Sequence, residues 1–212
     1  MTELILFICV IVSFILTMLV GNYLYKVENK KAFNYLNVFP FEMESKKDPK
    51  LTMFFRILLA IFISFSCVDI LILLIFQMNS NFNSRFLGGI LILESMMLLG
   101  TFLISTKSYK GHIFVSSVFF GLNFISYILL GYNSLLNGKP LVISIISFII
   151  GFILLIIMFS PLLKDWFKLD KREENEEIIT SRKKVNLYVI NEWSNVILFI
   201  INLLINTILF YL

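Results

Sequence analysis

The hydrophobic positions of this chain fall into long continuous runs that are separated by short polar segments. A helix needs about 20 apolar residues to cross a bilayer, and six of the runs reach that length. A membrane β-barrel would instead show segments of about ten residues with alternating polarity. The pattern therefore predicts an all-α polytopic membrane protein with six transmembrane helices. The predicted spans are 4–24, 52–77, 86–106, 113–132, 140–163 and 187–212.

Composition supports this class. Of the 212 residues, 58% are hydrophobic and 15% are charged, and the mean hydropathy is +0.90. A soluble domain is about a quarter charged, so this chain has too little polar surface to cover a soluble globule. The same numbers exclude a disordered chain and a disulfide-rich scaffold. We expect residues 1–212 to form one six-helix transmembrane domain, with a cytosolic loop at 25–51 and a charged cytosolic loop at 164–186.

The basic residues predict an orientation. Of the 18 lysines and arginines, two lie in the second and fourth loops, Arg85 and Lys139. The others lie in or beside the first, third and fifth loops, and basic loops stay cytosolic. Both termini are therefore expected outside. The net charge of +4 is then explained by topology and lipid head groups, and we expect no nucleic-acid partner.

The first run is not expected to be a cleaved signal peptide, because Glu3 is the only charge before it and no small-x-small cleavage site follows. We therefore expect a retained span in a plasma membrane. Heavy use of Asn, Lys, Ile and Phe is typical of an AT-rich genome, which suggests a bacterial source.

The first cytosolic loop contains a segment, 32–44, that is too apolar for a solvated linker. Pro40 prevents one continuous helix there. We predict that four side chains lie at head-group depth or pack on the cytosolic end of the bundle: Phe33, Leu36, Phe39 and Phe41. The polar residues of the segment are expected to face the cytosol: Asn34, Asn37 and Glu42.

Two interpretations of this segment stay open, a membrane-surface anchor and a gate or docking surface. In the fifth loop, Trp166 is expected in the interfacial aromatic belt. The charged remainder of 164–186 is interpreted as a solvated face, with docking of a partner as the alternative. The predicted partners are therefore the lipid bilayer and, through 32–44 or 164–186, a membrane or cytosolic protein.

Ionisable groups inside spans are expensive and often functional. Asp69 and Glu94 lie about twelve residues on either side of the predicted turn between spans two and three. The two carboxyls are thus expected at the same depth, in the outer half of the membrane. If they meet, they share one proton or bind a cation, because two adjacent carboxylates do not both ionise cheaply.

Span six carries a polar stripe whose spacing of 4, 7 and 4 keeps it on one face: Asn191, Asn195, Asn202 and Asn206. Together with span four it predicts a polar centre, a candidate substrate or ion site made of Asp69, Glu94, Asn202, Asn206, Asn123 and Tyr127. The alternative is structural, because a buried Asn often only binds a neighbouring helix. Glu192 lies near the cytosolic boundary and is expected to snorkel outward.

Catalytic motifs are not found. The sequence contains no HExxH, no GxSxG and no Gly-rich phosphate loop. The single histidine, His112, has no serine predicted at its depth, and one histidine with distant acids does not make a metal site. We therefore expect no enzyme, no metal and no cofactor. The leading expectation is a small transporter or lipid-handling protein with an intramembrane acid pair. The alternative is a non-catalytic partner protein, such as an accessory subunit of a membrane complex or a toxin or bacteriocin immunity protein.

Overall fold

The computed structural model describes residues 2–45, 47–76, 82–104, 109–160 and 187–211. Within these ranges it is all-helical, with six helices that are long and apolar enough to cross a membrane, as predicted. They are α1 (Thr2–Asn29), α2 (Pro49–Phe76), α3 (Phe82–Leu103), α4 (Tyr109–Leu136), α5 (Leu141–Met158) and α6 (Leu187–Tyr211). A short 3-10 helix covers Pro40–Met43. The predicted charged loop 164–186, with Trp166, lies outside the described residues.

Helix α6 contacts three other helices of the bundle. Helices α1 to α4 each pack on the next helix in the chain, whereas α6 packs on α1, α2 and α4. This central position explains why α6 carries polar residues on an apolar helix, since they face protein and not lipid. At the other extreme, α5 packs on α4 and exposes large apolar side chains such as Phe152 and Ile156.

Helices α4 and α6 run parallel. Hydrogen bonds join Ser116 to Glu192 near the start of both helices and Ser126 to Asn202 further along both. Since α2 and α4 are each antiparallel to the helix between them, α2, α4 and α6 begin at one end of the bundle.

Residues 33–43 cover that end, which we call the capped end; the opposite end is the open end. The indole Nε1 of Trp193, in the second turn of α6, donates a 2.9 Å hydrogen bond to the carbonyl of Val38. Phe39 and Phe41 are each 8% exposed, and Met43 is fully buried. The segment is thus part of the folded bundle and not a separate loop.

The predicted interfacial residues differ in how far they are buried. Phe33 is half-buried and meets the ring of Trp193 edge-on at 5.8 Å, but Leu36 is 47% exposed. Asn34 is exposed, whereas the carboxylate of Glu42 turns back to accept the backbone N–H of Phe39 at 2.8 Å. Glu42 therefore caps the 3-10 helix. This hydrogen bond opposes the outward orientation that the sequence predicts for Glu42.

Local signals set the helix ends. The carboxylate of Asp48 accepts the N–H of Leu51 at 2.9 Å and Pro49 occupies the first helical position, so the start of α2 is both capped and preset. At the open end, α4 stops at a turn in which Gly138 has φ +63° and the N–H of Lys139 bonds back to the carbonyl of Ser134 at 3.0 Å. This is a Schellman turn, and it fixes where Lys139 leaves the helix.

Candidate functional site: buried acids and a polar chain between helices

Glu94 is a carboxylic acid in the middle of the bundle. It projects from α3, is fully buried and lies beside Ser126 of α4. Neither of its carboxyl oxygens has a hydrogen-bond partner of normal geometry among the described residues. An unpaired ionised carboxylate in an apolar interior costs far more free energy than one in water. In this arrangement the group is stable as the neutral acid or with a bound cation.

Beside this acid, a chain of hydrogen bonds begins at Ser126 and leads toward the open end. The side-chain amide of Asn202 donates to the hydroxyl of Ser126 at 2.9 Å. The amide of Asn206 in turn donates to the side-chain oxygen of Asn202 at 2.8 Å. All three side chains are buried. The four residues form what we call the polar chain: Glu94, Ser126, Asn202 and Asn206.

Asn123 and Tyr127, the two other predicted members of the polar centre, cross-link α4 to α6. The amide of Asn123 donates to the backbone carbonyl of Asn195 at 2.9 Å, and the Tyr127 hydroxyl donates to the carbonyl of Leu198 at 2.8 Å. Both side chains are fully buried. These hydrogen bonds are of the kind expected for structural packing. Tyr127 also lies within electrostatic range of Glu94.

Asp69 has a different neighbourhood. It projects from α2, is fully buried, and both of its carboxyl oxygens have no hydrogen-bond partner among the described residues. The acidic group in electrostatic range is Glu3 at the start of α1, itself only 7% exposed. Two acids so placed repel one another when ionised, which again favours a proton or a cation at this position.

The two predicted acids lie at similar depth but are not hydrogen-bonded to each other. Leu74 of α2 lies against Gly88 of α3, and Cys67 lies beside Ser95. Asp69 and Glu94 fall between these two contacts on their own helices. Since all four carboxyl oxygens have no partner in the described part of the chain, the two groups do not share a direct hydrogen bond.

A pocket of about 260 Å³ lies at the open end. Asn206 belongs to its wall, so the polar chain reaches from Glu94 to the pocket. The lining combines polar side chains, one lysine and three leucines: Ser84, Leu87, Leu130, Asn133, Ser134, Asn137, Lys139, Asn206 and Leu209. Neither predicted acid lines the pocket itself.

A second buried polar cluster, at the capped end, overturns two sequence-based expectations. Glu192 does not snorkel outward; it is fully buried, and its Oε1 lies 2.9 Å from Nε2 of His112. The hydroxyl of Ser116 donates to the same oxygen at 2.9 Å and lies 3.3 Å from His112. A serine therefore does share the depth of the histidine. The spacing of four between His112 and Ser116 was the available signal, because it puts both on one face of α4.

These three residues do not form a catalytic triad. In a triad, the histidine lies between the acid and the nucleophile, with one ring nitrogen on each. Here Nε2 faces both groups, and Nδ1 has no partner among the described residues. The ring of Phe41 also packs edge-on against His112 at 4.3 Å. The cluster is best described as a sealed cross-link of α4 to α6.

Comparison of the chain with known protein families, with curated proteins and with solved structures gave no match. In the described ranges, no three His, Cys, Asp or Glu side chains lie close enough together to hold a metal ion. The function must therefore be argued from the geometry: a membrane-type bundle with two unpaired buried acids, one of them joined by a polar chain to an open pocket.

Proposed function

We propose that this protein is a small multi-pass transport protein of a plasma membrane, in which Glu94 carries a proton or a small cation. The observation that supports this most directly is the combination found at Glu94. The carboxyl is fully buried without a hydrogen-bond partner in the described structure, yet it lies beside Ser126, from which the polar chain leads to a pocket. A purely structural acid would be expected to bind a neighbouring helix.

The proposal includes an orientation and a source. The capped end faces the cytosol and both termini lie outside, which the distribution of the 18 basic residues supports. The open-end pocket then faces the outer side, and the bilayer is the immediate partner of the exposed apolar faces. The composition supports a bacterial origin. Asp69, at similar depth on α2, is proposed as a second ion-binding group.

Flux through reconstituted protein tests the role of Glu94. Proteoliposomes loaded with a pH-sensitive dye are given a pH gradient, and proteoliposomes loaded with a Na⁺-sensitive dye are given a Na⁺ gradient. We expect wild type to dissipate one of these gradients faster than empty liposomes, Glu94→Gln to abolish the flux, and Asp69→Asn to reduce it. Both substitutions keep the shape of the side chain and remove its charge. The control is Glu44→Gln, which removes an acid whose partner is the exposed Arg56 at 2.6 Å, far from the polar chain.

A chemical readout accompanies the flux. A hydrophobic carbodiimide modifies protonated carboxyls, and we expect mass spectrometry to find the adduct at Glu94 in wild type. Flux equal to that of empty liposomes under both gradients contradicts the proposal. If the protein shows no flux and co-purifies with a second membrane protein in fixed ratio, the alternative of a non-catalytic partner protein replaces the transport proposal.

A further inference from the structure

The open-end pocket contains two buried polar atoms that have no hydrogen-bond partner in the described part of the chain. They are the side-chain oxygen of Asn133 and the hydroxyl of Ser134, whose side chains are 6% and 2% exposed. The amide nitrogen of Asn133 donates to the carbonyl of Asn83 at 3.3 Å, so its unpaired oxygen is an acceptor. Both residues line the pocket and the two atoms are closed to solvent, so a ligand reaches this acceptor and this hydroxyl through a small movement of the side chains.

Lys139 supplies a positive charge to the same pocket. It is the one charged side chain in the lining that the structure describes, and the Schellman turn at Gly138 fixes its backbone. A lysine is a compact point charge with three donors, which suits a phosphate oxygen. The hydroxyl of Ser134 is a second donor for the same anion.

The size and the position of the pocket further limit the chemical class of its ligand. The volume of about 260 Å³ is below the roughly 300–1,000 Å³ of pockets that take drug-sized ligands. Leu87, Leu130 and Leu209 make part of the wall apolar. The pocket lies where α4 and α6 end, which in a spanning bundle is the depth of the lipid head groups.

From these observations, we propose that the open-end pocket binds a phosphoglycerol group, a phosphate ester that carries free hydroxyls. Lys139 and the hydroxyl of Ser134 donate hydrogen bonds to the phosphate, and a hydroxyl of the glycerol donates to the side-chain oxygen of Asn133. The source is either the head group of phosphatidylglycerol or free glycerol phosphate. This inference deepens the proposed transport function and rests on it in one respect: the bound ligand then lies at Asn206, the end of the polar chain that begins at Glu94.

Direct binding tests the proposal without any flux. Purified full-length protein is titrated with sn-glycerol 3-phosphate by calorimetry, and protein in nanodiscs of phosphatidylcholine with or without phosphatidylglycerol is examined by native mass spectrometry. Binding of the free phosphate assigns a soluble ligand, and retention of phosphatidylglycerol alone assigns the lipid head group. Lys139→Gln is expected to weaken whichever binding occurs by about tenfold to a hundredfold, because a hydrogen bond to a charged group is lost.

The matched control is Arg85→Gln, which removes an exposed basic residue at the same end, adjacent to the pocket residue Ser84. It is expected to leave binding within about twofold of wild type, as screened surface charges contribute little. No binding of either probe, an unchanged affinity in Lys139→Gln, or an equal loss in Arg85→Gln overturns the inference. Flux that Glu94→Gln abolishes, without phosphoglycerol binding, refutes the pocket assignment alone. Binding that persists while Glu94→Gln leaves flux unchanged refutes the transport function alone.

Discussion

Buried carboxyls in this bundle are of two kinds. Glu192 is paired with His112 and Ser116, whereas Asp69 and Glu94 have no hydrogen-bond partner among the described residues. A paired acid cross-links two helices, and an unpaired one must acquire a proton or a cation. This difference is why the paired cluster is assigned to stability and the unpaired acids to function.

The pair of His112 and Glu192 predicts a stability effect. Replacing His112 by Leu leaves Glu192 buried with only Ser116, and a buried polar group that loses its partner costs about 1–3 kcal/mol. Replacing both by Leu removes the uncompensated group, so the double variant is expected to be more stable than His112→Leu alone. Thermal unfolding of the purified variants in one detergent measures this. Additive losses in the double variant would contradict the pairing, because residues in contact do not behave additively.

Residue numbers predict depth better than direction. Each residue of a helix adds about 1.5 Å, which is why spacing alone placed Asp69 and Glu94 near one level. The face that a residue presents depends on its neighbours. Glu192 was expected to reach outward because the sequence does not say that α4 lies parallel beside α6 with His112 at the same level. The role of Ser126 was missed for the same reason.

At the scale of elements, close approach of α4 and α5 depends on glycine. A Cβ on Gly131 would lie 3.1 Å from the backbone carbonyl of Ser144 and 3.1 Å from the ring of Phe148. The small residues Ser144, Ser147 and Gly151 of α5 permit such contacts, and Ser144 is nearly fully buried there. This contact is part of the α4–α5 interface that attaches α5, which has most of its surface outside the bundle.

Gly131→Ala is therefore expected to destabilise the protein. Overpacking costs about 1–3 kcal/mol, while the gain in helix propensity is at most about 1 kcal/mol, so the net effect is unfavourable. Gly89→Ala is the matched control, because a Cβ there meets nothing within 4 Å and only the propensity gain remains. Unfolding by sodium dodecyl sulfate compares the two. Equal stability of both variants would show that α4 and α5 do not approach this closely.

The capped segment, residues 33–43, also behaves as an element of the fold. The sequence indicated its apolar character and the break at Pro40, but not that Met43 would fill the space beside Gly21. In a background with Cys67 and Cys9 replaced by Ala, we expect Leu36→Cys to react rapidly with a water-soluble maleimide and Met43→Cys to be protected. Leu36 is 47% exposed and Met43 is fully buried. Equal labelling rates would show that the segment leaves the bundle in solution.

At the scale of the whole molecule, the two ends of the bundle differ in structure. The capped end is sealed by aromatic residues over the His112 cluster, and the open end contains the pocket. Long apolar runs were enough to predict six helices, because only helices and closed β-barrels satisfy their backbone hydrogen bonds in lipid, and barrel strands alternate in polarity. The asymmetry of the ends was not predicted, since it depends on how the capped segment folds back.

This asymmetry gives the proposed orientation a direct test. Cysteine at Asn137, an exposed position in the turn after α4, is expected to react with a membrane-impermeant maleimide on intact cells. Cysteine at Lys47, an exposed position just after the capped segment, is expected to react only after the membrane is opened. The reason is that basic loops stay cytosolic, and Lys47 belongs to the most basic described region. Labelling of Lys47→Cys from outside would show that the bundle has the opposite orientation. The proposed phosphoglycerol pocket would then lie on the cytosolic side, where a free phosphate ester would be the more accessible ligand.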